Sequence, residues 1–390
     1  MDGVGERRGR AIHVGVNAHL LSLAEGYRSA GINWYIYNLL EHLPEVDSGF
    51  DYSVFLSEKR YVAEPGIHLR ISRLPTHRPP LRILWEQLAQ PWVMRDAGVD
   101  LIHGPAFVGP QASKRPYVVT VHDLSFLLYP RGFRALNRTY LRVFTQLSVR
   151  RAQRVIAVSE STKRDLVRCY GIPPGKVDVV YNGKDATFQQ LPASEVSGFR
   201  AEQGLPEQFI LFVGTLEPRK NVARLIEAYA RLPGTRPPLM LIGGRGWLYD
   251  DIFARVEALN LSNEVRFVGY VPAKDLPQWY NAASLFVYPS LYEGFGLPPL
   301  EAMACGAPVV TSTASSLPEV VGDAGLLVDP TNTEELAEAM GQVLADAGLR
   351  EKLRGAGLAR AHKFSWRTTA QRTVSTYRQA LAIEGGSSRV

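Results

Sequence analysis

FILFVGTLEPRKNVARLIEAY, residues 209–229, decides the fold. Its opening residues are apolar and β-prone and read as a buried strand that stops at Gly214-Thr215. Val222, Leu225, Ile226 and Tyr229 then recur at helical spacing, with Asn221 ahead of them as the expected N-cap. Arg219 and Lys220 therefore fall between a strand's carboxyl end and a helix start. The same rhythm continues downstream in PLMLIGG (238–244), VRFVGY (265–270), LFVYPS (285–290) and APVVTS (307–312). Upstream it runs through AIHVGVN (11–17), DLIHG (100–104), YVVTVHD (117–123) and RVIAVS (154–159), with Ile32, Tyr35, Ile36, Leu39, Leu40 and Leu43 at helical spacing. Strands alternating with helices predict an α/β chain of parallel sheets with helices on both faces. Ligands in such sheets bind outside the carboxyl ends of the strands.

A chain of 390 residues is too long for one ordinary core, so two doubly wound domains are expected. The stretch 182–208 shows no strand or long helical period and is rich in turn formers, which places the boundary there. The predicted division is 1–185, 186–364, and a tail, 365–390. The tail forms an amphipathic helix with Trp366, Ala370, Val374, Tyr377 and Leu381 on one face, expected to cross back to the first domain.

The composition, 46% hydrophobic and 21% charged, is that of a globular protein, and no apolar run has the length of a membrane span. The opening MDGVGERRGR lacks the apolar core of a secretory signal, and Cys169 and Cys305 have neither metal-ligand spacing nor the look of a disulfide framework. A reducing cytoplasm is the expected compartment. Charge is uneven: residues 1–185 carry 25 Lys/Arg against 17 Asp/Glu, and the remainder 19 against 21. A basic first half predicts an anionic partner there. No zinc-finger, basic-zipper or ribonucleoprotein pattern is present, so nucleic acid is not expected, and a lipid headgroup or a diphosphate-linked acceptor fits instead.

SLYEGFGLPPLEAMACG (290–306) is the densest chemistry in the chain. Pro298 or Pro299 suits the first helical turn and Gly306 the stop, which predicts a short helix with Glu301 in its first turn and Glu293 in the loop ahead. The intervening Gly294-Phe295-Gly296-Leu297 is expected to bring backbone N–H groups and a helix N-terminus to an anionic ligand. Glu301 is placed to accept from ribose-type hydroxyls and Glu293 to address a sugar hydroxyl. On the residues alone, a helix cap and a solvated loop carboxylate read as well. Arg219, as a fork, and Lys220, as a point charge, are apt for a diphosphate after Gly214-Thr215, although a solvated surface pair has the same spelling. Gly243-Gly244 is expected to make a strand-end turn near the nucleotide, and Ser316 to Glu319 to form a capping box. There is no Asp-x-Asp and no His/Cys/Glu cluster at metal spacing, so no metal and no separate cofactor are expected. Arg131, Arg134, Arg138 and Arg142 repeat at intervals of 3, 4 and 4 amid Phe133, Leu136, Tyr140, Leu141, Val143 and Phe144. That pattern predicts either a solvated Arg face over an ordinary core or a helix lying on an anionic membrane surface.

Together the two segments resemble the signature of glycosyltransferase family 4 within the GT-B fold, most like its bacterial-type mannosyltransferases. The resemblance covers residues 209–330 strongly and extends to AGINWYIYNLL (30–40), VVTVHDL (118–124) and VVYNGKD (179–185). It implies two Rossmann-like domains facing across a cleft, with the acceptor on the first and a nucleotide diphosphate-sugar on the second. It implies a retaining hexose transfer, best matched by mannose from GDP-mannose to a glycan or lipid-linked acceptor at the cytoplasmic membrane face. By the same resemblance Arg219 and Lys220 hold the diphosphate, Glu293 the sugar and Glu301 the ribose. His122 lies beside the donor sugar, and Gly31, with Gly26 nearby, marks the glycine loop near the phosphates. Asn33-Trp34 departs from the small or basic residue usual in relatives, and Lys184 from the usual aliphatic one. No covalent nucleophile stands out, which favours same-face substitution assisted by the leaving phosphate. The alternatives are a nucleotide-sugar epimerase, a glycogen synthase-like polymerase, whose Lys-x-Gly-Gly loop is absent, and a non-catalytic nucleotide-sugar-binding protein.

Overall fold

The computed structural model describes residues 11–23, 31–72, 82–83, 85–244, 246 and 250–382, the side chains of Arg131 and Asp250 excepted. Gly26 lies outside the described residues. The apolar runs form two parallel sheets. The first has seven strands in the order β3-β2-β1-β4-β5-β6-β7. They are β1 Ile12–Asn17, β2 Phe50–Leu56, β3 Ile67–Ile71, β4 Leu101–Gly104, β5 Tyr117–Val121, β6 Arg154–Ala157 and β7 Val177–Val179. The second has six in the order β10-β9-β8-β11-β12-β13. They are β8 Ile210–Val213, β9 Leu239–Ile242, β10 Val265–Gly269, β11 Leu285–Tyr288, β12 Val309–Ser312 and β13 Leu326–Val328. Central strands such as β5, β8 and β11 are buried along their whole length, which is why they read as unbroken apolar runs.

Both sheets are doubly wound. β1 lies between β2 and β4, and β8 between β9 and β11, so the strand order reverses once in each. A crevice opens at such a reversal, outside the carboxyl ends of the strands.

The chain passes from one sheet to the other between residues 179 and 210. Contrary to the sequence reading, that stretch holds a ten-residue helix, Ala193–Glu202. None of its residues is fully buried, and only Val196 and Phe199 pack on the second core, so it carries little apolar period. The C-terminal helix Trp366–Ala380 packs into the first core through Trp366, Ala370, Val374 and Tyr377. Burying a side chain of the size of Val374 or larger contributes about 1.5–3 kcal/mol. The Tyr377 hydroxyl bonds His103 Nδ1 at 2.7 Å, His103 Nε2 meets Thr120 Oγ1 at 2.8 Å, and the Tyr35 hydroxyl meets Thr120 Oγ1 at 3.1 Å. This buried network ties the last helix to β4, β5 and the first helix, Ile32–Val46.

Two helix starts differ from expectation. Asn221 precedes its helix with φ of 60° and makes no cap bond. Its Nδ2 donates instead to the carbonyls of Pro289 and Pro330. Ser316 does not close a capping box either, because its hydroxyl donates to the Glu293 and Phe295 carbonyls. Glu319 crosses to the first domain, where its carboxylate accepts from the backbone N–H groups of Glu160 and Ser161, each at 2.7 Å. It satisfies the open start of the helix Glu160–Tyr170, where a negative charge also meets the positive end of the helix dipole.

The arginine-rich segment is shorter than its periodicity suggested. The helix begins at Ala135 and ends at Arg151, and Arg134 is its N-cap. Arg131 stands in a separate 3-10 turn, Pro130–Gly132, so four cations on one helix face are not formed. Pro130 and Gly132 start and break that turn. Arg138 and Arg142 are exposed on the helix, together with Leu136 (89% exposed), Val143 (43%) and Leu147 (42%).

Candidate active site

A cleft of about 1150 Å³ lies between the two sheets. Its walls are the segments that follow the carboxyl ends of the strands. Gly31, Ile32 and Trp34 follow β1 and His122 follows β5. Gly214, Thr215, Glu217, Arg219 and Lys220 follow β8, and Glu293 to Pro298 with Glu301 follow β11. Of the described residues expected near the nucleotide, Gly243 and Gly244 stand back from the cleft wall, and Gly243 shows why. It packs behind Gly214, whose carbonyl oxygen would be 1.9 Å from a Cβ at that position.

The centre of the cleft is a cluster of four charges. Lys220 Nζ donates to Glu293 Oε1 at 2.7 Å and to the Tyr288 hydroxyl at 2.6 Å. Arg219 pairs with Glu293 Oε2 at 3.1 Å and with Glu217 Oε1 at 2.7 Å, and its Nη1 donates to the Tyr292 carbonyl. Ser290 and Tyr288 hydroxyls also donate to Glu293, at 2.6 and 3.0 Å. Burial alone would push the Glu293 carboxyl up, but Arg219 and Lys220 outweigh it and hold the group down at about 2. Burial pulls the Lys220 ammonium below its ordinary value against the Glu293 charge. Burial also opposes the Arg219 charge, yet Glu293 and Glu217 raise its pKa above the usual value. The two cations are thus matched by two carboxylates, and they are not the solvated surface pair that their spelling also allowed. Glu217 is the residue that sequence reading passed over. Only its place inside GTLEPRKN, one residue before Pro218, pointed to it.

Backbone geometry holds the cluster. Gly294 meets the first domain so closely that a Cβ there would lie 1.9 Å from the His122 carbonyl oxygen. The Gly294 carbonyl accepts from Ser159 Oγ at 2.7 Å, across the domain boundary. Three residues near the site that are not glycine take positive φ: Phe107 (61°), Asn221 (60°) and Ser315 (52°). Ser315 Oγ accepts from the Glu293 N–H at 2.7 Å. Such strained backbone persists where the surroundings over-determine it, commonly at functional sites. No apolar or charge pattern marks these positions in the sequence.

Glu301 is the fifth residue of the helix Leu297–Ala304, one turn deeper than the sequence suggested, because Leu297 already occupies the first position. The Tyr280 hydroxyl donates to Glu301 Oε2 at 3.0 Å. Burial raises the Glu301 carboxyl to about 7. His122 is buried between Tyr35 and Phe107, with ring centroids at 4.7 and 5.7 Å. Its Nε2 donates to the Pro105 carbonyl at 2.8 Å, and burial lowers its pKa, so the ring is neutral with its lone pair on Nδ1. Among the described residues no group of three or more His, Cys, Asp or Glu is arranged to hold a metal ion, and no helix is long and apolar enough to cross a membrane.

A family model described as Glycosyltransferase Family 4 matches residues 15–188, and one described as Glycosyl transferases group 1 matches residues 198–360. An O-antigen chain mannosyltransferase B of Escherichia coli is 37% identical over 309 residues, 77% of this chain and 81% of the relative. The chain belongs to glycosyltransferase family 4. A D-inositol 3-phosphate glycosyltransferase of Kribbella flavida is 35% identical over 246 residues, 60% of this chain and 58% of that protein. The sucrose-phosphate synthase of Thermosynechococcus elongatus superposes with a TM-score of 0.77 at 26% identity, covering 95% of this chain and 99% of that one. This glycosyltransferase therefore has the GT-B architecture, and its charged cleft lies where the two Rossmann-like domains face each other.

Proposed function

We propose that this glycosyltransferase moves mannose from GDP-mannose to a glycan or lipid-linked acceptor, with retention at the anomeric carbon and without a metal ion. The observation that carries the reading is the buried Arg219–Lys220–Glu293 cluster at the mouth of β8 and β11, beside the Leu297–Ala304 helix start. A diphosphate competes with Glu293 for the two cations and takes further bonds from Gly294 to Leu297. Glu293, released from the cations, accepts from the sugar hydroxyls, and Glu301 accepts from the ribose. His122 Nδ1 is the neutral acceptor facing the sugar from the other domain. In the transfer step the bond from C1 to the phosphate oxygen breaks and the bond from C1 to the acceptor oxygen forms on the same face. The acceptor's hydroxyl proton passes to the leaving diphosphate. Arg219 and Lys220 stabilise the charge that develops there. The mannosyl choice rests on the 37% identical E. coli relative.

Transfer to α-mannobiose, with the product's anomeric configuration read by NMR, tests donor and stereochemistry together. An α-linked mannoside is expected, and a β-linked product would overturn retention. Activity is also expected to survive excess chelator, because arginine, lysine and helix N–H groups take the role of a cation. Loss of activity that magnesium restores would contradict this.

Nucleotide binding should follow Glu301. The native carboxyl holds its proton up to about pH 7, above the ordinary 4.5. Its burial therefore favours the folded state at low pH, and that contribution is lost as pH rises from about 4.5 through about 7. The ionised form is the hydroxyl acceptor. GDP affinity measured by calorimetry is expected to rise up to about tenfold between about pH 6 and about pH 8, following the ionised fraction. Glu301→Gln should flatten that profile, and an unchanged slope in the variant would reassign the effect.

A peripheral membrane contact has its own support in exposed Leu136, Val143 and Leu147 beside Arg138 and Arg142. Each cation near an anionic surface contributes about 1 kcal/mol. Co-sedimentation with phosphatidylglycerol vesicles is expected at low salt, weakened by added salt and by Arg138→Glu with Arg142→Glu. Vesicle binding that is absent, or unaltered in that variant, would leave a freely diffusing acceptor as the better reading.

A further inference from the structure

We propose that the cleft has an acceptor arm, walled by Trp34, Tyr37 and Tyr61, that takes a neutral saccharide terminus and turns away a phosphorylated one. This deepens the glycosyltransferase reading and rests on the donor occupying the opposite, C-terminal wall. The cleft continues past His122 along the first helix, Ile32–Val46, and the loop after β2. On that helix Tyr35, Ile36, Leu39, Leu40 and Leu43 serve the core. Trp34, Tyr37 and Glu41 recur at three- and four-residue spacing on another face and line the cleft. Trp34 takes no part in the first core and Tyr37 only flanks it, so two half-buried aromatic rings are left on the cleft side for a ligand.

The three rings form a stepped, not a flat, platform: neighbouring rings stand nearly perpendicular, and Tyr61 is buried in the first core. Trp34 meets Tyr37 edge-on with centroids 5.7 Å apart, and Tyr37 meets Tyr61 in the same way at 6.1 Å. Flat rings with an apolar body and a polar tip suit a pyranose, which has an apolar C–H face and hydroxyls at its edge. The Tyr61 hydroxyl donates to Glu41 Oε1 at 3.3 Å, which fixes one edge of the platform.

The charges beside the platform set its selectivity. Glu41, Glu64 and Asp185 all line this arm. They surround Tyr37 closely enough that burial and then these three carboxylates raise its hydroxyl pKa. The cations of the same wall are partly engaged. Arg60 is held as a fork on Glu58, with both bonds at 3.0 Å, and Lys184 Nζ donates to the Phe188 carbonyl at 3.2 Å. Among the described residues, Lys274, exposed on the facing domain, is the remaining cation of the arm. Ionised carboxylates only accept hydrogen bonds, so they pair with sugar hydroxyls, which can donate. A phosphate at neutral pH is also acceptor-rich and carries their sign, so it finds no donor in Glu41, Glu64 or Asp185, and with Arg60 neutralised by Glu58 the three carboxylates outnumber Lys184 and Lys274 among the described residues of the arm. Asn33, beside Trp34, also lines this arm.

The test is a binding titration of the full chain with α-mannobiose, mannose 6-phosphate and inositol 3-phosphate, with and without saturating GDP, followed by ligand-observed NMR. Mannobiose is expected to bind at least about tenfold more tightly than either phosphorylated probe. Trp34→Ala should weaken mannobiose at least about tenfold and leave GDP affinity unchanged. Glu41→Gln with Glu64→Gln should narrow the discrimination at least about threefold. Phosphorylated probes that bind as well as mannobiose, or a Trp34→Ala variant that keeps full mannobiose affinity, would overturn the proposal. GDP that fails to bind would overturn the donor reading alone, and the titration without nucleotide still decides this one.

Discussion

Replacing Glu293 with Gln is expected to cut sugar transfer by roughly 10²–10⁴-fold while free GDP binds as well as before or more tightly. The carboxylate makes two charge-assisted contacts, to Lys220 at 2.7 Å and Arg219 at 3.1 Å, and accepts from Ser290 and Tyr288. Each charge-assisted bond is worth about 1.5–3 kcal/mol, and two of them give the stated range if they are remade to the sugar in the transition state. The opposite signs follow from the structure. Glu293 is the internal counterion of the cations that receive the diphosphate, so its removal frees them for the nucleotide. The same removal leaves two buried cations short of charge and costs about 3–5 kcal/mol of stability. GDP should therefore raise the variant's melting temperature by more than it raises that of the unaltered chain. A variant that loses GDP binding and transfer in parallel would show that Glu293 acts on the nucleotide and not on the sugar.

The second large effect concerns the cations. Arg219→Ala or Lys220→Ala is expected to lower kcat/KM for the donor roughly 10–150-fold, the cost of one charge-assisted bond to the leaving diphosphate. Arg219 is the more exposed to an added cost in folding, because it pairs with both Glu217 and Glu293, whereas Lys220 pairs with Glu293. Circular dichroism separates the two effects. Wild-type kinetics in a folded variant would make the pair structural, a buried bridge holding the β8 and β11 loops together.

Both sheets were legible because their central strands are buried on both faces and so read as apolar runs. FILFVG, LFVYPS and YVVTVHD are the clearest cases, and each reaches, or stops just ahead of, a residue of the cleft: Gly214, Glu293 and His122. β3 escaped notice because it is an edge strand with one fully buried residue, β7 and β13 because they have three residues each, and β2, Phe50–Leu56, because Asp51 and Ser53 break its apolar run. The glutamates and the Arg-Lys pair were legible as a motif. Their mutual neutralisation was not, since the partners are 73 residues apart in sequence and only the fold brings Lys220 to Glu293. Glu319 misled for the same reason. Its spacing from Ser316 spells a local cap, but the helix start that needs a carboxylate belongs to the other domain. The arginine series misled through local geometry, because a proline and a glycine flanking Arg131 place it outside the helix.

The measurement that tests the central claim most directly is a donor screen. The full chain is incubated with GDP-mannose, UDP-glucose and ADP-glucose, and nucleoside diphosphate release is followed with and without α-mannobiose. The account predicts release from GDP-mannose above the other two, accelerated by mannobiose and lost in Glu293→Gln. Release from none of the three donors, or release indifferent to Glu293, would contradict it.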